Sequence, residues 1–252
     1  MRIRSTLAAL ALSTTLVMPA VAADTAKTYT RAELEQIIVE TILKHPEALI
    51  QSVDNMQKSQ ASKQAETAKQ NIEAYKTSLF NDPESPVAGN KKGDVTVVEF
   101  FDYNCGYCKR SFDEILKLSQ TDKNVRFVFK EYPVLAPSSE TAARASLAFH
   151  ALNPDRYLDY HASLFRLGGR FDEETLANTA ENFGVKADKL KEKMKDPKIT
   201  KHLQDNAELA SKLGARGVPL FVIGSDIAPG ALSYEDLQSR VGAAREELKK
   251  KK

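Results

Sequence analysis

The spacing of hydrophobic positions changes several times along this chain, and each change marks a boundary. An apolar stretch at residues 7–17 follows Arg2 and Arg4. Between residues 31 and 44 the apolar side chains return at helical spacing, as Leu34, Ile37, Ile38 and Ile42. Thr30 followed by Glu33 predicts a capping box at the head of that helix. Pro46 starts or kinks a second helix that carries Leu49, Ile50, Val53 and Met56. Residues 57–77 are then mostly Lys, Gln, Ala, Glu and Ser with Ile72 nearly alone, the pattern of a solvated connecting helix. The apolar stripe before residue 57 has to be buried on something, either the rest of its own chain or another copy of it. Closed homo-oligomers are common and the intervening arm reads as solvated, so self-association is the expectation.

A turn-rich segment at 81–93, with Pro83, Pro86, Gly89 and Gly93, separates this arm from a different pattern. The run Val95–Phe101 reads as a strand, a helix with Phe112, Ile115, Leu116 and Leu118 on one side follows, and residues 125–130 alternate as a second strand. Strand, helix and strand make a βαβ unit with parallel pairing. Helical patterns then fill about 138–197, broken at Asn153-Pro154, Gly168-Gly169 and Gly184. A long helix over about 199–213 leads to a strand headed by Val218-Pro219, a short strand at 226–229 and a closing amphipathic helix at 234–248. The expected fold class is therefore α/β with an inserted helical subdomain and an N-terminal helical arm. The domains are read as 1–23, 24–80 and 81–252.

Residues 1–23 have the form of a secretory signal peptide, with small residues for cleavage near Ala22 or Ala23. Its apolar run falls short of the ~20 residues that span a bilayer. No cysteine lies near the cleavage point for lipid attachment, and Arg2 and Arg4 are not adjacent as a twin-arginine signal requires. The sequence holds 36 basic and 34 acidic side chains, and removing Arg2 and Arg4 leaves 34 of each. That balance gives no reason to expect a nucleic-acid partner.

Export changes the meaning of the only two cysteines, Cys105 and Cys108, which bracket Gly106-Tyr107 at the strand-to-helix junction. In an oxidising compartment such a pair can donate or rearrange disulfides. A structural zinc site needs four donors, and His45, His150, His161 and His202 lack the required spacing. A c-type haem needs a histidine where Lys109 stands. A purely structural bridge stays open as a reading, although closing so short a loop removes little unfolded-state entropy.

With the exported chain, the run Val97-Val98-Glu99-Phe100-Phe101-Asp102-Tyr103-Asn104 into Cys105-Gly106-Tyr107-Cys108-Lys109, the helical insertion and Gly217-Val218-Pro219, the chain resembles the DsbA-like family of thioredoxin-fold disulfide oxidoreductases. The likeness covers roughly residues 90–248. Its arm, with residues 81–90, is similar to the subgroup known as 27 kDa outer-membrane or immunoreactive proteins. Nothing in the sequence suggests a transmembrane barrel.

The resemblance implies a periplasmic enzyme with no cofactor beyond a redox-active Cys105–Cys108 disulfide. Cys105, at a helix N-terminus, is then the nucleophile and point of attack, and Cys108 its resolving partner. Pro219 resembles the family's cis-proline, with Val218 shaping the substrate contact beside Gly106 and Tyr107. Glu99 is expected near the second cysteine, paired with Lys130 at the end of the next strand, as a proton shuttle. Gly106-Tyr107 departs from the Pro-His of the strongest oxidants and also occurs in dimeric isomerases, whereas Val218 points to the oxidase branch. The expected function is a thiol–disulfide oxidoreductase that forms and also isomerises disulfides in exported proteins as a homodimer. Its partners would be unfolded or misoxidised proteins and a membrane redox protein. Alternatives are a surface-associated binding or chaperone protein acting through the arm, and a glutathione-dependent enzyme of the same fold.

Overall fold

The computed structural model describes residues 27–250, so the expected signal peptide lies outside the described residues. Helix α1 (Arg31–Lys44) opens with the anticipated capping box: Glu33 N–H donates to Thr30 Oγ1 at 3.3 Å, and Thr30 N–H donates to Glu33 Oε2 at 2.8 Å. Pro46 sits at the first position of α2 (Pro46–Ala74), where its missing N–H costs nothing. The apolar and polar segments on either side of residue 56 belong to this single helix.

The chain forms two compact units, one ending at Met56 and one starting at Gln57. In the first, the apolar side chains of α1 and the start of α2 are exposed, among them Leu34, Ile38, Leu43, Ile50 and Met56. In the second, Ile72 near the end of α2 and Leu79 of α3 (Lys76–Phe80) are buried in a core with Val98, Phe100 and Val128. The division between the two units thus lies inside α2, and Ile72, nearly alone in its polar stretch, joins the end of that helix to the core of the larger unit.

Five strands form one sheet in the order β1-β3-β2-β4-β5. They are β1 (Val87–Gly89), β2 (Val95–Phe101), β3 (Val125–Glu131), β4 (Leu220–Ile223) and β5 (Asp226–Pro229). The β2–β3 pair is parallel, joined by helix α4 (Gly106–Thr121), and the other pairs are antiparallel. Sequence reading missed β1. It has only three residues amid turn formers, and it exists by pairing with the edge of β3. Gly89 there has φ +72°, and an added Cβ would stand 2.6 Å from the Val125 carbonyl oxygen.

Both central strands are buried on both faces, which explains their nearly continuous apolar sequence. Residues 95, 97 and 101 of β2 and 125, 127 and 129 of β3 join one core. That core includes α4, α10 (Tyr234–Lys250) and the helical insertion, α5 (Pro137–Leu152), α6 (Tyr157–Arg166), α7 (Glu173–Glu181) and α8 (Ala187–Lys193). The even-numbered positions face α3, the end of α2 and α9 (Pro197–Lys212).

This alternation overturns one expectation. Lys130 is opposite Phe100 and Glu99 is opposite Phe129, so the two side chains emerge on different faces. Lys130 is fully buried, and its ammonium donates to Asp82 Oδ2 at 2.6 Å in the turn after α3. Ser85 and His202 adjoin the same carboxylate. Asp82→Ala should destabilise the protein by about 3 kcal/mol, because it leaves a buried ammonium unpaired. Combining it with Lys130→Met should restore most of the loss, as read by urea denaturation.

Candidate active site

Strand β2 ends at Phe101, and the turn of Asp102, Tyr103 and Asn104 delivers Cys105 as the N-cap of α4. Both cysteines are free thiols, Cys105 with 5% of its surface exposed and Cys108 with none. The Cys108 backbone N–H donates to Cys105 Sγ at 3.2 Å. Across the site, Cys105 Sγ lies 3.5 Å from the Val218 carbonyl oxygen, and the Val218–Pro219 peptide is cis.

The two thiols are driven apart electrostatically. The Cys108 thiol donating to it, with help from the backbone N–H groups of Cys108 and Tyr107, lowers the Cys105 pKa from 9.0 to about 6 against the cost of burial. Burial first, then the hydrogen bond to Cys105 and the nearby Glu99 carboxyl, push Cys108 strongly upward. At neutral pH one sulfur is a thiolate and the other keeps its proton.

Of the other residues singled out in the sequence, Glu99 is buried on the same sheet face as Cys105, with no hydrogen-bond partner for either oxygen. Burial, and secondarily the Cys105 charge, hold its carboxyl well above the usual range. Lys130 is not brought to the site; period-two geometry and Asp82 hold it on the opposite face. Tyr107 is 61% exposed and its ring lies 4.4 Å from the Arg110 guanidinium. Nothing lies within 4 Å of where a Cβ on Gly106 would stand, so the approach to Cys105 is open there.

The site contains groups the sequence reading passed over. Asp102 is buried, and its Oδ2 accepts from the backbone N–H groups of Val134 and Leu135, each at 2.9 Å. Its Oδ1 accepts from Asn104 N–H at 2.8 Å. Asp102 thereby ties the loop after β3, with its exposed Val134 and Leu135, to the turn that carries Cys105. Tyr103 Oη lies 2.9 Å from Ser146 Oγ and 2.5 Å from His161 Nδ1, linking that turn to the insertion. Glu131 is a second buried carboxyl without a hydrogen-bond partner on this face. A polar residue closing an apolar strand, such as Asp102 after Phe101, was the available signal. Glu131 gave none apart from its place at the end of β3. Among the described residues, no cluster of three or more His, Cys, Asp or Glu side chains is placed to hold a metal ion.

A thiol ready to ionise beside one that resists ionisation is an arrangement that exchanges disulfides. Set at the head of α4 and faced by Val218-Pro219, it puts the chain among the thioredoxin-fold thiol–disulfide oxidoreductases. A family model for the DSBA-like thioredoxin domain matches residues 96–242, and the chain belongs to that family. It is similar to disulfide bond formation protein D of Bacillus subtilis, 26% identical over 166 residues, covering 62% of this chain and 75% of that one. Among solved structures, it resembles a thioredoxin-like oxidoreductase from Silicibacter pomeroyi, at 42% identity and TM-score 0.64, over 68% of this chain and 97% of that one. It also resembles the catalytic domain of Proteus mirabilis ScsC, at 31% identity and TM-score 0.64, over 71% and 98% respectively.

The depressed Cys105 pKa gives a signed pH dependence. The contribution of the thiolate to the stability of the reduced chain is absent below about pH 6, grows as pH rises, and is complete above the ordinary value of 9.0. The ultraviolet thiolate absorbance of the reduced protein should rise with a midpoint near pH 6. Cys105→Ser should abolish that transition, and Cys108→Ala should move it upward.

Proposed function

We propose that the protein is an exported thiol–disulfide oxidoreductase that forms disulfides in secreted proteins and also isomerises wrong ones, through the Cys105-Gly106-Tyr107-Cys108 pair. The observation that carries this reading is the split in acidity between Cys105 and Cys108. In oxidation, a substrate thiolate attacks Cys105 Sγ of the disulfide form; the new bond is a mixed disulfide and the Cys105–Cys108 bond breaks. Cys108 leaves with the electron pair and takes a proton from Glu99, which is neutral because it is buried. A second substrate thiolate then attacks the substrate sulfur and releases Cys105, a good leaving group because its thiolate is stabilised. In isomerisation the Cys105 thiolate attacks a wrong disulfide, and a substrate thiol resolves the adduct. If Cys108 resolves it instead, its sulfur bonds to Cys105 Sγ and the substrate sulfur leaves; Glu99 takes the Cys108 proton as it gives its own to the departing sulfur, and so stays neutral. Pro219, Val218, Gly106 and Tyr107 border the substrate, and the redox pair needs no separate cofactor.

Three features support the finer parts of this reading. Gly106-Tyr107 puts no histidine cation beside the thiolate, which suits a less oxidising pair able to correct bonds. The exposed apolar stripe of α1 and early α2 suits self-association, in our reading as a homodimer. The N-terminal segment suits export to the periplasm, with association to the outer membrane or surface only peripheral. No described helix is long and apolar enough to cross a membrane. Folding exported proteins and a membrane protein that resets the disulfide are the partners this chemistry requires.

Cys105→Ser should abolish insulin reduction, and unchanged activity would remove the redox reading. Glu99→Gln should slow resolution of the mixed disulfide by on the order of a hundredfold, while leaving its formation by the Cys105 thiolate nearly intact. A chain lacking residues 24–56 retains Ile72 and Leu79 and should be a redox-active monomer that refolds scrambled substrate more slowly in a fixed glutathione buffer. Sedimentation of the full-length protein as a monomer would rule out self-association.

A further inference from the structure

The arginines of the larger unit fall into two groups. Arg144, Arg156, Arg240 and Arg245 are bound to carboxylates, and Arg126 donates to the Phe80 carbonyl at 2.6 Å. Among the described residues, Arg110, Arg166, Arg170 and Arg216 have no carboxylate within ion-pair distance, and all four are exposed, although Arg170 Nε donates to the Leu167 carbonyl at 3.2 Å.

These unpaired arginines lie on segments that border Cys105. Arg110 stacks on Tyr107, between the two cysteines. Arg170 follows Gly169, whose added Cβ would stand 3.6 Å from the side-chain oxygen of Asn104, the residue before Cys105. Arg166 ends α6 just before that loop. Arg216 is two residues before Val218, whose carbonyl oxygen is 3.5 Å from Cys105 Sγ. Exposed Lys109 adds a fifth cation on α4, and Asp113 and Glu114 one turn further along make no ion pair with it or with Arg110.

An arginine left without a carboxylate partner at a site that must accept protein chains is available for a carboxylate of the incoming chain. We propose that this rim selects substrate segments that carry Asp or Glu close to the reacting cysteine. The proposal rests on the oxidoreductase reading and specifies its substrate class. Charge complementarity acts mainly on encounter and orientation, so it raises the rate of mixed-disulfide formation and weakens with salt.

The test uses the full-length oxidised protein and three synthetic dithiol peptides, identical except that aspartates, lysines or serines flank the cysteines. Because flanking charge also alters the peptide's own thiol, the same peptides are compared between two proteins, with the serine peptide as the neutral reference. The wild-type aspartate-to-lysine ratio is then divided by the ratio for the Arg110→Gln, Arg170→Gln, Arg216→Gln protein. The expected quotient is about tenfold at low salt, falling towards one as salt rises. Glutamates in place of the three glutamines should invert the preference. A quotient of one at low salt, or one that salt does not change, would overturn the acidic-substrate proposal alone. Failure of the wild-type protein to oxidise any of the three peptides would overturn the oxidoreductase reading as well.

Discussion

The parallel pairing of Val95–Phe101 with Val125–Glu131 is the constraint on which the rest of the protein depends. Because both strands are covered on both faces, each position is assigned to a core by its parity. One parity sends Glu99, Phe101, Phe129 and Glu131 beneath the redox turn, and the other sends Lys130 to Asp82. The same pairing requires a crossover, and the crossover helix begins at the two cysteines. The position of the chemistry thus follows from the position of the sheet.

On the redox face, low polarity works in opposite directions on neighbouring groups. It disfavours charge on Cys108, Glu99 and Glu131, which have few or no hydrogen bonds to compensate. Cys105 escapes because it sits at the rim of the same core, where a thiol and two backbone N–H groups point at its sulfur. The site therefore holds a single stabilised anion above groups that resist ionisation. Asp102 and Tyr103 act on position instead. They fix the turn, one to the loop after β3 and the other to the helical insertion, so the outer sulfur faces Val218 in a set position.

Much of this was readable beforehand. The strand Val95–Phe101, the helix from the cysteines, the insertion and the strand behind Pro219 all carry strong periodic or turn signals, and local sequence was enough to find them. Glu99 was noticeable as an acid in an apolar run. Val87–Gly89 was not readable, since three residues without a pattern become a strand only when an edge accepts them. The anchoring of the end of α2 was not readable for a similar reason: Ile72 looks incidental in a polar stretch until it is seen in one core with Leu209 and Val128.

The sequence alone determined the fold class and pointed to the cysteine pair, because a close cysteine pair, a strand-to-helix transition and a proline-headed strand are local features. Tertiary structure decided which charged groups share the site. Glu99 and Lys130 look like a natural pair when read along the chain, yet a strand places adjacent residues on opposite faces, and register with a partner strand is not visible in either strand by itself. Only the folded arrangement assigns the lysine to Asp82, buries the glutamate beside the thiols, and brings arginines without carboxylate partners onto segments that border Cys105.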